Sequence, residues 1–214
     1  MMAILLVKVV IGWLLGSLSG SLLLGRLRGL DIRQSGSGNA GGTNALRVAG
    51  WRFALLVVLI DVGKGVLAAL LGLWSPAVFA APPLAVDAQI QAVACSFAAV
   101  IGHCWPVFFG FRGGKGAATV VGAVLVLAPL LALLMFAVWL LVVSITRYVG
   151  LATVLAAISF PMCVLGAGWF GVPFSWPLLA FSLAVAALIV FTHRSNLKRL
   201  WHHQEPRIRM GERT

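Results

Sequence analysis

Residues 117–146 read AATVVGAVLVLAPLLALLMFAVWLLVVSIT, thirty residues without a charge. A bilayer-spanning helix uses about 20 residues, so the run is too long for one straight span. Pro129 sits near its middle, where it lacks the amide donor of a helix interior and disfavours helix at the residue before it. The run therefore predicts two short spans meeting near Pro129. Outward from it, apolar runs fall at about 3–24, 53–74, 90–111, 149–170 and 174–191. Cytoplasmic connections collect Lys and Arg, and that rule decides between six spans and seven. With seven, one side holds Arg26, Arg28, Arg33, Arg47, Arg52, Arg112, Lys115, Arg147, Arg194, Lys198, Arg199, Arg207, Arg209 and Arg213, and the opposite connections hold no basic residue. Six spans would put Arg147 and the basic tail on the wrong side. The expectation is an all-α integral membrane protein of seven transmembrane helices with short loops, amino terminus outside and carboxyl terminus cytoplasmic.

Composition agrees. The chain has 214 residues, 61% apolar and 10% charged, where a soluble domain has roughly a quarter charged. Seven spans leave no room for a separate soluble domain, so residues 1–214 read as one transmembrane domain. Its motif loops fall at about 25–52, 103–116 and 146–150, with a tail over 193–214. A signal peptide at the first run is disfavoured because Lys8 interrupts it and Arg26 and Arg28 follow it. Gly12, Gly16 and Gly20 recur at a spacing of four and predict close helix packing inside the bundle. The net charge of +11 points to anionic headgroups or substrates ahead of nucleic acid, which is not expected as a partner. Cys95, Cys104 and Cys163 show no CxxC pairing, and five scattered carboxylates cannot make a usual metal site. No metal and no cofactor are expected.

The least membrane-like stretch is DIRQSGSGNAGGTNALR, 31–47. Gly36, Gly38, Gly41 and Gly42 alternate with Ser35, Ser37, Asn39, Thr43 and Asn44, flanked by Arg33 and Arg47. Glycines let successive amides converge on an anion, hydroxyls and amides add donors, and arginine supplies a bidentate phosphate contact. The stretch reads as a phosphate cradle opening an apolar helix, ahead of a plain flexible linker. A Gly-Lys-Gly core recurs in DVGKGVLAALLG (61–72) and FRGGKGAATVVG (111–122). Neither is a nucleotide P-loop, since Gly116 follows Lys115 where Ser or Thr is required. Lys115 falls at the cytoplasmic end of a span, suited to a headgroup or a substrate. Lys64 and Asp61 lie deep in the second run, where ionisable groups pair or line a polar cavity. At a spacing of three they share a face and can pair with each other. His103 and His193 close apolar runs on the same side, with Asn196 nearby.

GSGNAGGTNALR (36–47), DVGKG (61–65), GHCWPVFFGFRGGKGAAT (102–119), TRYVGL (146–151) and HRSNLKRL (193–200), in that order, resemble the bacterial acyl-phosphate-dependent glycerol-3-phosphate acyltransferase family. The resemblance spans nearly the whole chain. It implies an enzyme of the bacterial inner membrane, with its active site facing the cytoplasm. The reaction implied transfers a fatty acyl group from acyl phosphate to glycerol 3-phosphate, giving lysophosphatidic acid and phosphate, the first step of phospholipid synthesis. Its partners would be those two substrates, membrane lipids and a soluble enzyme that makes acyl phosphate. For that reaction, Ser37, Gly38, Asn39, Gly41, Thr43, Asn44 and Arg47 are expected to bind phosphate. Lys115 and Lys64 would neutralise charge, and His103 and Asn196 would position the carbonyl or acceptor, with His193 beside them. The base is His103, His193 or the phosphate of a substrate itself. The chain departs from the family pattern at Ala40, Gly42, Gly150 and His203; Gly150 removes a hydroxyl where Ser is common. A transporter for phosphate or an organic phosphate is the competing reading. A His-x4-Asp acyltransferase is excluded, because Phe108 and Lys198 stand where the aspartate would have to be.

Overall fold

A computed structural model describes residues 2–74, 85–170 and 174–208, all helix and turn with no strand among the described residues. The helices are α1 (Met2–Gly16), α2 (Gly20–Leu27), α3 (Gly42–Leu73), α4 (Ala85–Cys104), α5 (Ala117–Leu127), α6 (Pro129–Thr146), α7 (Val149–Gly166), α8 (Trp176–Thr192) and α9 (Arg194–Trp201). They divide into two compact units, Met1–Pro129 and Leu130–Thr214. Arg209 and Arg213, counted above with the basic tail, lie outside the described residues.

In the first unit α3 packs against α1, α2, α4 and α5, and α1 packs along α4. Glycine makes these approaches possible. A Cβ on Gly16 would lie 2.0 Å from the carbonyl oxygen of Ala99 in α4, and one on Gly65 would lie 2.1 Å from that of Thr119 in α5. Gly12 and Gly16 thus face α4, as a bundle-packing stripe should. Gly20 turns instead to Val57 of α3, because the first apolar run is not one helix. It breaks at Ser17–Ser19, and α1 and α2 are bent by 49°. Lys8, buried in α1, donates to Gln91 Oε1 at 2.8 Å, to Gly72 O and to Trp74 O. It thereby satisfies carbonyls that the end of α3 leaves open.

The chain also departs from the sequence reading in its loops. Residues 42–49, placed in a loop, are already helical, and α3 is broken within by Gly50 at φ 80°. The third run ends at Cys104, so 105–116 form a loop. The break at Pro129 is where expected, with α5 ending at Leu127. However, the 11 residues of α5 make a helix of about 16 Å, half of a hydrocarbon core of about 30 Å. Among the described residues, four helical stretches are long and apolar enough to cross a membrane, Gly42–Leu73, Ala88–Phe109, Pro129–Thr146 and Val149–Trp169, and the number rises to six if each of two bent pairs is one span. Leu59 in the first unit and Leu141 in the second are 58% and 62% exposed, as lipid-facing side chains should be.

In the second unit α7 and α8 meet through an edge-to-face pair, Phe160 and Phe181, with centroids 6.2 Å apart. Trp139 Nε1 of α6 donates to Thr153 Oγ1 of α7 at 3.2 Å. Ser175 caps α8 by accepting from the Leu178 amide. After α9, bent by 54° from α8, the chain turns back until the Ile208 amide donates to Arg147 O at 2.9 Å.

Candidate active site

The glycine-rich stretch folds around one side chain. Asn44, 1% exposed, accepts from the Ser37 amide at 2.8 Å and donates to Ile32 O and Ser35 O, both at 3.0 Å. Its amide is spent on shaping the loop. Gly36 sits at φ 62°, and a Cβ there would lie 2.2 Å from Asn44 Oδ1. Ser37 and Gly38 are exposed on the rim, Asn39 and Thr43 are half-buried, and Arg47 is exposed. Gly41 precedes α3 with no side-chain cap, so the positive end of the helix opens into the cradle.

A second loop closes on the first. The Gly113 and Gly114 amides donate to Cys104 O and His103 O at 3.1 Å, folding residues 105–116 back on the end of α4. A Cβ on Gly114 would lie 2.2 Å from His103 Nε2 and 2.6 Å from Ala40 O. The Gly-Gly-Lys backbone therefore lies directly on the cradle, with Lys115 half-buried next to it. Gly116, at φ 87°, then starts α5.

Beneath the loops is a buried ionic cluster. Lys64 Nζ stands 3.0 Å from Asp61 Oδ1 and 2.8 Å from His103 Nδ1, and donates to Gly16 O at 2.8 Å and Leu18 O at 3.2 Å. Asp61 Oδ1 also accepts from the Gly20 amide at 3.1 Å. The ammonium has three protons for four neighbours, and His103 Nδ1 also lies 3.4 Å from Asp61 Oδ1, while its Nε2 faces Gly114. The pairing that the spacing of Asp61 and Lys64 allowed is the one adopted. Lys64, expected to neutralise substrate charge, is instead 4% exposed and engaged with protein groups. It also satisfies the carbonyls freed where α1 gives way to α2.

In the second unit His193, 6% exposed, joins α8 to α9 and donates from Nδ1 to Ile189 O at 2.9 Å. Asn196 Nδ2 donates to Glu205 Oε1 at 2.6 Å, and Arg199 Nε donates to Glu205 Oε2 at 2.8 Å. Asn196 packs where a side chain at position 150 would be: a Cβ on Gly150 would meet its Nδ2 at 2.8 Å and its Cβ at 2.9 Å. Gly150→Ser is therefore expected to push Asn196 off Glu205 and cost about 1–3 kcal/mol by overpacking. A thermal midpoint unchanged from wild type would show that the helix pair absorbs the added atoms.

Sequence reasoning missed Glu205, whose signal was a carboxylate set in a basic tail. It also took Arg33 for a flank of the cradle. Arg33 grips Asp31 through Nε and Nη2 and reaches Phe109 O and Arg112 O through Nη1. Hydrogen bonding to Arg33 holds the Asp31 carboxyl below the usual carboxylate range, and Asp31 raises Arg33 in turn. A depressed carboxylate contributes stability in full above its unfolded pKa of about 3.9, and loses it as pH falls through the lower folded value. The pair is therefore intact at neutral pH.

Comparison with known proteins places this arrangement. Residues 6–203 match the family model described as glycerol-3-phosphate acyltransferase. A glycerol-3-phosphate acyltransferase of Chlorobaculum tepidum is 42% identical over 96% of this chain and 97% of its own. One from Chlorobium chlorochromatii is 42% identical over 99% and 100%. Crystal structures of PlsY (YgiH), an integral membrane glycerol 3-phosphate acyltransferase, superpose with a TM-score of 0.81 for its glycerol 3-phosphate form and 0.78 for its lysophosphatidic acid form. Both are 36% identical to this chain; they cover 95% of it, and the matches span 95% and 94% of their own chains. The class defined by fold and site is thus that of membrane-embedded acyltransferases. Within it, the chain belongs to the glycerol-3-phosphate acyltransferase family, of the PlsY type.

Proposed function

We propose that the protein transfers a fatty acyl group from acyl phosphate to glycerol 3-phosphate at the cytoplasmic face of the bacterial inner membrane, with seven spans and the amino terminus outside. The observation that carries this reading is the cradle at the start of α3 with the Gly-Gly-Lys loop folded onto it. Converging amides, Arg47 and Lys115 suit a phosphate monoester, and both substrates are phosphorylated. The acceptor hydroxyl attacks the acyl carbonyl, an ester C–O bond forms, and the bond from carbonyl carbon to phosphate oxygen breaks. The proton leaves with inorganic phosphate, so a substrate phosphate can serve as base. Lysophosphatidic acid is the lipid product.

Ser37, Gly38, Asn39, Gly41 and Thr43 line the phosphate site in this reading, and Asn44 contributes by holding their loop. Lys115 offsets charge on the leaving phosphate. His103 sits behind the Gly-Gly-Lys loop and acts through it, as Lys64 acts through His103. Asn196 and His193, in the second unit, are assigned to the carbonyl and acceptor. No cofactor is invoked; the acyl phosphate comes from a soluble enzyme.

The test is product formation by purified protein in a lipidic medium with glycerol 3-phosphate and either palmitoyl phosphate or palmitoyl-CoA. Lysophosphatidic acid and phosphate from the acyl phosphate alone are expected. Product from palmitoyl-CoA alone would overturn the donor assignment. No product from either donor, in protein shown to be folded, would favour anion transport.

A further inference from the structure

We infer that Asp31 and Arg33 form a latch that fixes the Lys115 loop on the cradle, so that Arg33 is a positioning residue and not a phosphate ligand. The inference rests on the site proposed above. The Arg33 guanidinium uses both of its edges. Nε lies 2.9 Å from Asp31 Oδ1 and Nη2 lies 2.8 Å from Asp31 Oδ2. Nη1 donates to Phe109 O at 3.1 Å and to Arg112 O at 3.2 Å, across 76 and 79 residues of chain. Asp31 also accepts from the Arg33 amide at 3.0 Å, which sets the short turn that aims the side chain.

The segment it holds is closed by a tight turn of its own, the Phe109 and Phe111 amides donating to Pro106 O at 3.1 and 2.9 Å, and that turn is strained. Gly110 and Phe111 are left-handed, at φ 66° and 57°, a conformation that a residue with a Cβ adopts only under strain. Arg112, whose carbonyl is latched, precedes Gly113, Gly114 and Lys115. On the inner side the loop rests on His103 O, Cys104 O and Ala40. On the outer side Arg33 holds it through Phe109 O and Arg112 O. Arg26 adds a weaker hold, with its guanidinium 4.6 Å from the Phe109 ring centroid and Nη2 3.4 Å from Phe108 O.

Charge and latch predict opposite results. If Arg33 attracted phosphate, Arg33→Lys would keep most of its effect, and Asp31→Asn would raise local positive charge and lower KM. A latch needs the planar fork, which lysine lacks, and it needs the carboxylate. Arg33→Lys, Arg33→Ala and Asp31→Asn are therefore expected each to lower kcat by roughly 10- to 100-fold, as a displaced catalytic group does. The Asp31→Asn/Arg33→Lys double variant should be no worse than either single one, because the pair acts as a unit.

A readout free of turnover goes with this. Trypsin cuts after Arg112, at the latched carbonyl. In folded protein, cutting there should quicken by about tenfold in Asp31→Asn and Arg33→Lys, relative to cutting after Arg194 in the same sample. Wild-type cutting rates, or an Asp31→Asn enzyme with unchanged kcat and lower KM, would overturn the latch. If wild type turns over neither donor, the proposed reaction fails, while the Arg112 cutting ratio still decides the latch.

Discussion

Lys115→Ala and Arg47→Ala are each expected to lower turnover with palmitoyl phosphate and glycerol 3-phosphate by roughly 10²–10³-fold, the usual cost of removing one preorganised donor from developing charge. Both residues are assigned to the phosphate in the proposed reaction. Neither is part of a packed core, Arg47 being exposed and Lys115 half-buried, so their loss should change the stability by no more than about 0.5 kcal/mol. Phosphate release and thermal unfolding on one preparation separate the two effects. Arg47→Lys should recover only part of the lost rate, since an ammonium cannot make the bidentate contact. Turnover near wild type in either alanine variant would remove that residue from the site.

Asp61→Ala should act in the opposite way, on the fold first and on activity through it. It leaves Lys64 and His103 facing each other at 2.8 Å without the carboxylate that balances them. Breaking a buried pair by removing one partner costs about 3–5 kcal/mol, which lowers a thermal midpoint by on the order of 10 °C for a chain of this size. Cys95 and Cys104 are free and buried, so reaction with a thiol dye during heating reports the loss of packing directly. Removing both charges as Asp61→Leu/Lys64→Met should not recover that stability, because Gly16 O, Leu18 O and the Gly20 amide would then be buried without these partners. A midpoint in Asp61→Ala equal to wild type would show that the cluster contributes nothing to the fold.

The sequence revealed those features whose cause is local. Pro129 announces its own break, and alternating glycines and hydroxyls announce a loop before an apolar helix. Asp61 and Lys64 are three residues apart, so their pairing could be read as an open choice. What escaped depends on partners distant in the chain. The break at Ser17–Ser19 carries no proline, and its carbonyls are tolerated because Lys64 arrives from α3. Arg33 resembles any flanking cation until Phe109 and Arg112 are set beside it. Asn44 was read as a phosphate donor by residue type alone, but burial turns its amide inward. Glu205 became visible only when the tail was seen to return to Asn196.

The interrupted first span and the charged second one also bear on how the chain is made. A transmembrane segment with open carbonyls at its bend is a poor solute for lipid, and so is one with a carboxylate and an ammonium within its apolar run. Gly16 and Leu18 accept from Lys64, and Gly20 donates to Asp61, so each segment supplies what the other lacks. Neither is a stable passenger in the bilayer by itself. The ribosome-bound chain should therefore hold α1 back at the insertion channel until α3 has been synthesised, and the two should partition into lipid as a hairpin.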